Sequence, residues 1–309
     1  MKRTEMRGAG RVARSGWHRW ALFGALVGCG GSATRAEMPS PVATDCSADE
    51  MGLAHEGGHG AAGADGVSAG EGDVAAVPST PPPPMVVEGE NGALEGAMPT
   101  LRIVAPRPDQ LIRSGGVEVR LQLSGWPLAA PTGPHVHLIL DNEPYVAIRD
   151  ASAPIDLVAL AQQSLGHPLT EGTHVLRAFP SRGHHESVKD AGAFATVVFS
   201  YRTRTEGFAF DPSAPLLTFS RPKGCNPAGA PVLLDFFVSN ATLAPNQHRV
   251  RWTLDEQVGD ITRWVPHHLE HLAEGAHSLR LQLVGADGAP VSGIFNDTTR
   301  TFTVAATCP

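Results

Sequence analysis

From about residue 99 onward, short segments alternate apolar and polar residues and are separated by Gly, Pro and Asn. This period-two pattern is typical of antiparallel strands that bury one face. In the first half it predicts strands at 101–104, 117–123, 135–140, 145–148, 175–179 and 194–201, with 155–160 as a further strand or one helical turn. The second half repeats the order with 216–219, 232–238, 248–254, 261–265, 277–284 and 299–304. The pattern therefore predicts an all-β chain built from two similar halves.

The two halves also share a sequence motif. Residues 169–177 read Leu-Thr-Glu-Gly-Thr-His-Val-Leu-Arg, and residues 272–280 read Leu-Ala-Glu-Gly-Ala-His-Ser-Leu-Arg. The common string Leu-x-Glu-Gly-x-His-x-Leu resembles the turn into the penultimate strand of bacterial immunoglobulin-like (Ig-like) repeats. The resemblance implies two tandem Ig-like β-sandwiches, at residues 99–203 and 204–309. Sandwiches of this kind serve as spacers, adhesins and accessory modules, so the fold alone implies no particular function.

The N-terminal segment has the features of an export signal. Six basic residues precede the short apolar stretch 20–27, which is too short for a stable transmembrane anchor. The stretch ends in Leu26-Val27-Gly28-Cys29, which resembles the lipobox of bacterial lipoproteins. The resemblance implies that residues 1–28 are removed and that Cys29 carries the lipid. Gly30 after the cysteine resembles a sorting signal for the outer membrane, whereas the alternative is an ordinary secretion signal that contains a cysteine.

Residues 29–98 are rich in Gly, Ala, Pro and Ser, include four consecutive prolines at 81–84, and show no apolar periodicity. Such a segment cannot bury enough surface to offset its ordering entropy, so we expect a disordered tether. Removal of residues 1–28, with six basic and one acidic residue, changes the formal charge from −7 to −12. An acidic chain disfavours nucleic acid as a partner. We expect contact with a membrane through the lipid, and an envelope protein or a polysaccharide remains open as a partner.

No motif in the sequence supports catalysis. His55-Glu56-Gly57-Gly58-His59 matches a zinc-protease string, but its central glycines and the glycines and alanines that follow disfavour the helix this site needs. The string 66–70 matches a nucleophile elbow without a strand before it or a helix after it. Four carboxylates occupy equivalent turns after the third strands, and they are interpreted as turn formers: Asp141, Glu143, Asp255 and Glu256. The sequence therefore predicts a non-catalytic protein.

The remaining cysteines fit export to an oxidising compartment. In an Ig-like topology the first strand can lie parallel to the last strand. Cys225 follows the first strand of the second half and Cys308 follows its final strand. The resemblance therefore implies a Cys225–Cys308 disulfide, with Cys46 left unpaired in the tether.

Histidine is the unusual feature of the composition, with fourteen residues that cluster. His135 and His137 are two residues apart on a strand and share a face. Since Val136 alternates with them towards the core, both histidines are expected to face solvent. In an Ig-like sheet this third strand pairs antiparallel with the sixth. Its start then lies beside the loop that contains His184, His185 and Glu186.

Four imidazoles at one end of the first sandwich would suit Zn²⁺, Cu²⁺ or Ni²⁺. The alternative is a set of solvated surface histidines. The leading hypothesis is thus a non-catalytic outer-membrane lipoprotein that presents two Ig-like modules to an unknown partner and needs no cofactor. The second hypothesis is a zinc- or copper-binding envelope protein with His135, His137, His184 and His185 as ligands.

Two further groups of histidines lead to different expectations. His174 and His277 occupy the repeated motif beside a turn glycine, so we expect partly buried residues that form hydrogen bonds at a sheet corner. His267, His268 and His271 lie near Glu270. Of these, His267 and His271 would share a face only in a helical turn, which makes a metal site there the weaker expectation.

Overall fold

The structure, a computed structural model, describes residues 82–94 and 96–309. The predicted signal peptide, the lipidation site Cys29, Cys46 and residues 29–81 of the predicted tether lie outside the described residues. Within the described ranges, no helix has both the length and the apolar character needed to cross a membrane.

The first sandwich consists of two facing sheets. Strand β1 (Met85–Glu88) precedes this sandwich in the chain and is not part of it. The strands of the first sandwich are β2 (Thr100–Ala105), β3 (Gln110–Ile112), β4 (Glu118–Ser124), β5 (His135–Leu140), β6 (Val146–Ile148), β7 (Ile155–Asp156), β8 (Gly172–Ser181) and β9 (Ala195–Tyr201). One sheet has the order β2-β4-β7 and the other has the order β3-β9-β8-β5-β6. The core between them contains Val119, Val136, Leu138, Leu176 and Phe199.

The ambiguous segment 155–160 contains both of the expected elements. Strand β7 ends at Asp156, and the helix Leu157–Leu160 follows before a π-helical turn at Ala161–Leu165. The Asp156 carboxylate accepts hydrogen bonds from the backbone N–H groups of Val158 and Ala159. This N-cap satisfies donors that the first helical turn leaves free, so the strand changes directly into a helix. A 3-10 turn at Ala191–Ala193 precedes β9.

The second sandwich has the same two-layer plan. Its strands are β10 (Leu216–Arg221), β11 (Cys225–Pro227), β12 (Val232–Ser239), β13 (Arg249–Leu254), β14 (Gln257–Ile261), β15 (His267–Glu270), β16 (Gly275–Val284) and β17 (Asp297–Ala305). The sheets have the orders β1-β15-β12-β10 and β11-β17-β16-β13-β14. Leu234, Phe236, Leu281 and Phe302 contribute to its core. The expected all-β fold with two tandem Ig-like sandwiches is therefore confirmed.

The expected disulfide is also present. Cys225 and Cys308 are joined, with their Cα atoms 5.5 Å apart. Strand β11 pairs parallel with β17, and Cys225 lies opposite Thr303. The first part of the second sandwich therefore lies against the last strand, as the Ig-like topology implies, and the bridge closes a loop with a sequence separation of 83 residues.

Two local expectations for the second half are wrong. We expected a strand at 261–265, but the hairpin strand β14 ends at Ile261 and the next strand, β15, begins at His267. We also considered a helical turn at 267–271, whereas His267–Glu270 form β15, paired with both β1 and β12. Successive side chains of a strand alternate between faces, and His271 has a left-handed φ of 60° after the strand ends. The helical face that would have joined His267 to His271 is absent from this segment.

The predicted tether contains a strand that we did not expect. Met85–Glu88 form β1, which pairs antiparallel with β15 of the second sandwich. The Glu88 carboxylate also forms an ion pair with Arg263 at 2.7 Å. Residues with no clear apolar period thus become ordered by adding to an existing sheet edge, which supplies the backbone partners that the segment lacks by itself. The chain contributes a strand to the second sandwich before it enters the first.

The two sandwiches pack against each other through the outer faces of two sheets. In the first sandwich this face carries Ile139, Tyr145 and Phe179, and in the second it carries Phe237, with Trp264 at its margin. The ring centroids of Phe179 and Phe237 are 5.1 Å apart. Strands β5 and β8 are consequently buried on both faces, and the contact between the sandwiches, here called the junction, is a second apolar core.

Charged groups in the junction are paired across it. Arg177 is fully buried, and its guanidinium donates to the Thr218 hydroxyl at 2.9 Å and packs over the Phe295 ring at 4.0 Å. The buried Asp235 carboxylate of β12 forms a 2.5 Å ion pair with Lys189 of the first sandwich. Replacing only Lys189 or only Asp235 would leave the other as an uncompensated buried charge and would therefore be strongly destabilising.

Candidate metal centre

The structure corrects the expected environment of His135 and His137. Their alternation with Val136 is as predicted, because Val136 and Leu138 face the core of the first sandwich. The opposite face is covered by the second sandwich, and both histidines are 0% exposed. The expectation that they face solvent is wrong because the outer face of this sheet is the junction.

Three imidazole rings meet at the edge of the junction. The Nε2 atoms of His135 and His137 are 3.0 Å apart, and Nδ1 of His185 lies 3.0 Å from the same Nε2 atom of His135. These three nitrogen atoms all lie within 4.8 Å of one another. We call His135, His137 and His185 the histidine triad. Two ligands about 2.0–2.1 Å from one metal are at most about 4.2 Å apart, so the two 3.0 Å separations fit a shared ion, whereas a pair of nitrogens at the 4.8 Å limit would have to approach each other on binding.

The outward nitrogens of the triad are held by neighbours of the kind that orient metal ligands. Nδ1 of His135 lies 2.9 Å from the carbonyl oxygen of Gly133. Because a carbonyl can only accept, Nδ1 carries the hydrogen and Nε2 presents its lone pair to the centre of the triad. Nδ1 of His137 lies 3.0 Å from the hydroxyl of Ser220, which belongs to the second sandwich. Both rings are thus fixed by a hydrogen bond on the side away from the centre.

His185 reaches the triad from a tight loop. The backbone N–H of His185 donates to the carbonyl of Arg182 at 3.0 Å, and His185 has a left-handed φ of 71°. A non-glycine residue in this region is uncommon and stays there only when its surroundings enforce it. Gly183 in the same loop packs so closely that an added Cβ would lie 2.8 Å from the carbonyl oxygen of Thr132. The loop between β8 and β9 is therefore held against the segment that precedes β5.

The structure does not bring His184 or Glu186 into the triad. Nε2 of His184 lies 3.1 Å from the Glu186 carboxylate, and the His184 side chain is 64% exposed. The same carboxylate also pairs with Arg182 at 3.2 Å. Of the four predicted metal ligands, three converge and His184 is excluded, because its ring is engaged with Glu186 rather than with the triad.

Burial keeps the triad neutral. It lowers the pKa of His135 to about 4 and that of His185 to about 2, and it also depresses the pKa of the fully enclosed His137. The positive charges of Arg221 and Lys223 add to this effect for all three rings, whereas the Gly133 carbonyl opposes it at His135. Neutral imidazole is the form that binds metal, so the site needs no deprotonation at neutral pH.

Tyr145 forms one wall of the site. Its ring stacks on His137, with centroids 3.5 Å apart and planes inclined by 9°. Two cations lie over the Tyr145 ring. The Nζ atom of Lys223 is 3.9 Å from the ring centroid, and the Cζ atom of Arg221 is 5.7 Å from it. Burial raises the pKa of the Tyr145 hydroxyl to about 12 despite the nearby Arg221. The tyrosine is thus neutral and, although Arg221 is close, its hydroxyl makes no hydrogen bond of normal geometry with the described residues.

A shallow cavity of about 560 Å³ lies beside β4 and β6 of the first sandwich. Trp126 and Arg149 line it together with Leu121, Leu123 and Leu128. Arg149 also contributes to the electrostatics of the triad, since its charge lowers the pKa of both His135 and His185. This arginine is the residue common to the cavity and to the surroundings of the triad.

The repeated histidines are structural, as expected. His174 lies between the Asp141 carboxylate, 2.8 Å from Nδ1, and the carbonyl of Thr170, 2.9 Å from Nε2. In the second sandwich His277 has the same contacts with Asp255 at 2.8 Å and with the carbonyl of Ala273 at 2.8 Å. We call these two arrangements the corner histidines. They use both ring nitrogens and have no nitrogen left for a metal.

Sequence reasoning missed Tyr145, Ser220, Arg149 and Arg221 as neighbours of the triad. A signal for the covered face was present, because Ile139 continues the face of His135 and His137 with an apolar residue. Strand β8 likewise carries apolar residues on both faces. The pattern indicates burial on both sides. It does not indicate which sheet of the second sandwich provides the cover, so Ser220 and Arg221 could not be found from it.

Comparisons with known proteins give fold similarity only. No known protein family matches the chain, and curated proteins give no match either. Fibronectin(III)-like modules of CbhA from Clostridium thermocellum are similar at 12% identity and a TM-score of 0.24, covering 66% of this chain and 94% of theirs. The SGBP-B protein of Bacteroides ovatus, solved with a mixed-linkage heptasaccharide, is similar at 12% identity and a TM-score of 0.19. This match covers 66% of the present chain and 47% of SGBP-B. Similarities of this strength carry no argument about function.

Proposed function

We propose that this protein is a non-catalytic envelope protein that binds one transition-metal ion, zinc or copper, at the junction of its two sandwiches. The observation that carries the proposal is the convergence of three imidazole nitrogens within 4.8 Å, from two residues of β5 and one residue of the loop between β8 and β9. The rings of His135 and His137 are already oriented by hydrogen bonds at their Nδ1 atoms, on the side away from the centre of the triad. A preoriented ligand set requires little rearrangement when the ion binds.

The donor set defines the class of metal. Neutral imidazole suits Zn²⁺, Cu²⁺ and Ni²⁺, whereas Mg²⁺ and Ca²⁺ prefer oxygen ligands. With three protein ligands, zinc or copper would keep at least one position for a further ligand. Ser220 of the second sandwich bonds to His137, so the metal would also stabilise the junction. In this proposal the ion makes the relative orientation of the two sandwiches more rigid.

The location of the protein is part of the same proposal. The lipobox resemblance at 26–29 supports attachment of Cys29 to a bacterial membrane, with Gly30 favouring the outer membrane. The Cys225–Cys308 disulfide is consistent with an oxidising compartment. Replacing Cys29 by Ser should release the mature chain from the membrane fraction. Mass spectrometry of the wild-type N-terminus should detect the acyl groups, and an unmodified Cys29 would contradict the anchor.

The metal is tested by binding measurements on the full chain without tag histidines. The parent carries Cys29→Ser and Cys46→Ser, so that no free thiol can account for bound metal. We expect about one Zn²⁺ or Cu²⁺ per chain after desalting, measured by elemental mass spectrometry. His185→Gln should weaken binding by about tenfold or more, because one of three ligands is lost from a partly exposed loop where folding is least affected.

His184→Gln is the matched control, since it removes the adjacent imidazole that pairs with Glu186 instead of joining the triad. It should leave metal binding unchanged. Circular dichroism and retention of the disulfide establish that each variant is folded. Absence of bound metal in the parent would contradict the proposal, as would equal losses in His184→Gln and His185→Gln. In that case the triad is a hydrogen-bonded element of the junction and the module presents its surface without metal.

A further inference from the structure

The segment that leads from β1 towards the first sandwich is attached to both sandwiches, and we call residues 85–93 the strap. In its first part β1 pairs with β15, and Val86 packs against the core of the second sandwich. The backbone N–H of Gly89 extends this ladder beyond β1 by donating to the carbonyl of Pro266 at 2.7 Å. The strap therefore begins as an added edge of the second sandwich, held by backbone and side-chain contacts.

The second part of the strap lies on the loop that carries His185. The carbonyls of Gly92 and Ala93 accept hydrogen bonds from the guanidinium of Arg182, the bond to Ala93 at 3.4 Å. The contact at Gly92 is close, because an added Cβ would lie 3.1 Å from Cζ of Arg182. The backbone of the strap thus rests directly against this guanidinium group of the first sandwich.

Arg182 also holds the loop together. Its Nε donates to the Glu186 carboxylate at 3.2 Å, and its backbone N–H donates to the Glu186 carbonyl at 2.8 Å. Its own carbonyl accepts from the N–H of His185, whose left-handed backbone persists only while its surroundings enforce it. One arginine therefore connects the strap to the triad member that comes from outside β5, and loss of the strap contact should loosen the loop.

We propose that docking of the strap and occupancy of the triad by a metal ion are linked through Arg182, so that each favours the other. This inference rests on the proposed metal site and adds its regulation. Metal binding needs His185 in place, and the docked strap restricts the loop that carries this residue. Linkage is reciprocal, so the factor by which docking tightens metal binding equals the factor by which metal favours docking. Displacement of the strap from β15 would then release the metal more readily.

The first test compares Zn²⁺ affinity between the parent chain of the metal-binding measurements and the same chain with Val86→Asp. A carboxylate is costly to bury against an apolar core, so this variant should undock the strap and leave both sandwiches folded. We expect it to weaken Zn²⁺ binding by about tenfold, a factor typical of coupled sites. The added negative charge would by itself attract the cation, so charge alone cannot cause this loss.

Arg182→Gln tests the route of the linkage. It should weaken Zn²⁺ binding by a similar factor, and combining it with Val86→Asp should cause little further loss, because both changes break the same connection. Fully additive losses would overturn the linkage through Arg182. Val258→Asp is the matched control, since it places the same charge at a 61% exposed position of the edge strand β14, in the other sheet of the second sandwich. It should leave the Zn²⁺ affinity unchanged.

Hydrogen exchange gives the reciprocal measurement. In metal-free Val86→Asp, faster exchange of the amides of residues 85–89 shows that the strap is displaced. In the parent, saturating Zn²⁺ should slow exchange of the same amides by about tenfold, because the metal favours the docked strap. Exchange that does not respond to Zn²⁺, or equal Zn²⁺ affinity of the parent and a displaced Val86→Asp, would overturn the inference while the metal site stands. A parent that binds no Zn²⁺ would contradict the metal site itself, and the linkage with it.

Discussion

The corner histidines and the histidine triad are the same residue type in opposite electrostatic situations. At each corner both ring nitrogens face acceptors, a carboxylate on one side and a carbonyl on the other. In the triad the rings face one another, with arginine and lysine charges nearby. The pKa is accordingly raised at His174 and His277 and lowered at the triad. The neighbours of a histidine, rather than its burial alone, decide whether it holds a proton or offers a lone pair.

The largest expected effect is acid sensitivity of the triad. A depressed folded pKa means that the unfolded chain binds more protons between about pH 6.5 and pH 4, so stability is full above pH 6.5 and falls as the pH decreases through this window. Each unit of depression corresponds to about 1.4 kcal/mol. Urea unfolding of the metal-free protein at pH 7 and pH 4.5 should show the loss. The variant with His135→Gln, His137→Gln and His185→Gln should lose less on acidification, and an equal loss would contradict this assignment.

A second prediction concerns the acceptors at the corners. Asp141→Asn and Asp255→Asn replace the carboxylate that faces Nδ1 of each corner histidine, and each should lower the unfolding free energy by about 1–3 kcal/mol. The loss arises because a charge-assisted bond becomes a neutral one and the amide cannot accept equally well at both positions. Urea titration at pH 6 measures it. Glu256→Gln, at the next position in the turn, is the control and should change stability by no more than about 0.5 kcal/mol.

The smallest expected effect is the opposite pH response of the corners. Burial lowers the pKa of His174 and His277, but the bonds to Asp141 and Asp255 and to the carbonyls outweigh it, so the net shift is upward. A raised folded pKa gives stability that is complete below pH 6.5 and declines as the pH rises through the folded pKa. Proton NMR of the ring hydrogens should show these two residues titrating above pH 6.5. Titration below that value at either corner would remove the contrast with the triad.

The corner histidines were predictable as hydrogen-bonding residues because their motif is repeated, whereas their carboxylate partners, 33 and 22 positions away, were interpreted only as turn formers. The motif that contains His174 and His277 lies within a single turn, and its acidic partner follows a strand in both halves. Sandwich topology then brings the two together in each domain. The alternation on β5 follows from period-two patterning, and its antiparallel pairing with β8 is what the Ig-like resemblance implied.

The surroundings of the triad were not accessible in the same way. They depend on a packing of one sandwich on the other that involves Ser220 and Arg221, more than eighty positions away from His137. A polar residue such as Ser220 carries no sign in its sequence of facing a neighbouring domain. The strand β1 escaped prediction for a related reason, since its four residues find their backbone partners on the edge of β15 and the rest of their contacts in the distant second sandwich. Contacts with residues far away in the sequence, rather than local propensity, determine both the surroundings of the triad and the strand β1.

The order in which the chain visits the two sandwiches has a mechanical consequence. A pulling force applied through the segment before residue 85 reaches the four-residue ladder between β1 and β15 before it reaches either core. This short ladder should yield first in single-molecule stretching, as a small extension that precedes the unfolding of both sandwiches. At the other end, the Cys225–Cys308 bridge prevents the last strand from being peeled away. Under tension the chain would therefore lengthen at its N-terminal side while the C-terminal sheet keeps its strand order.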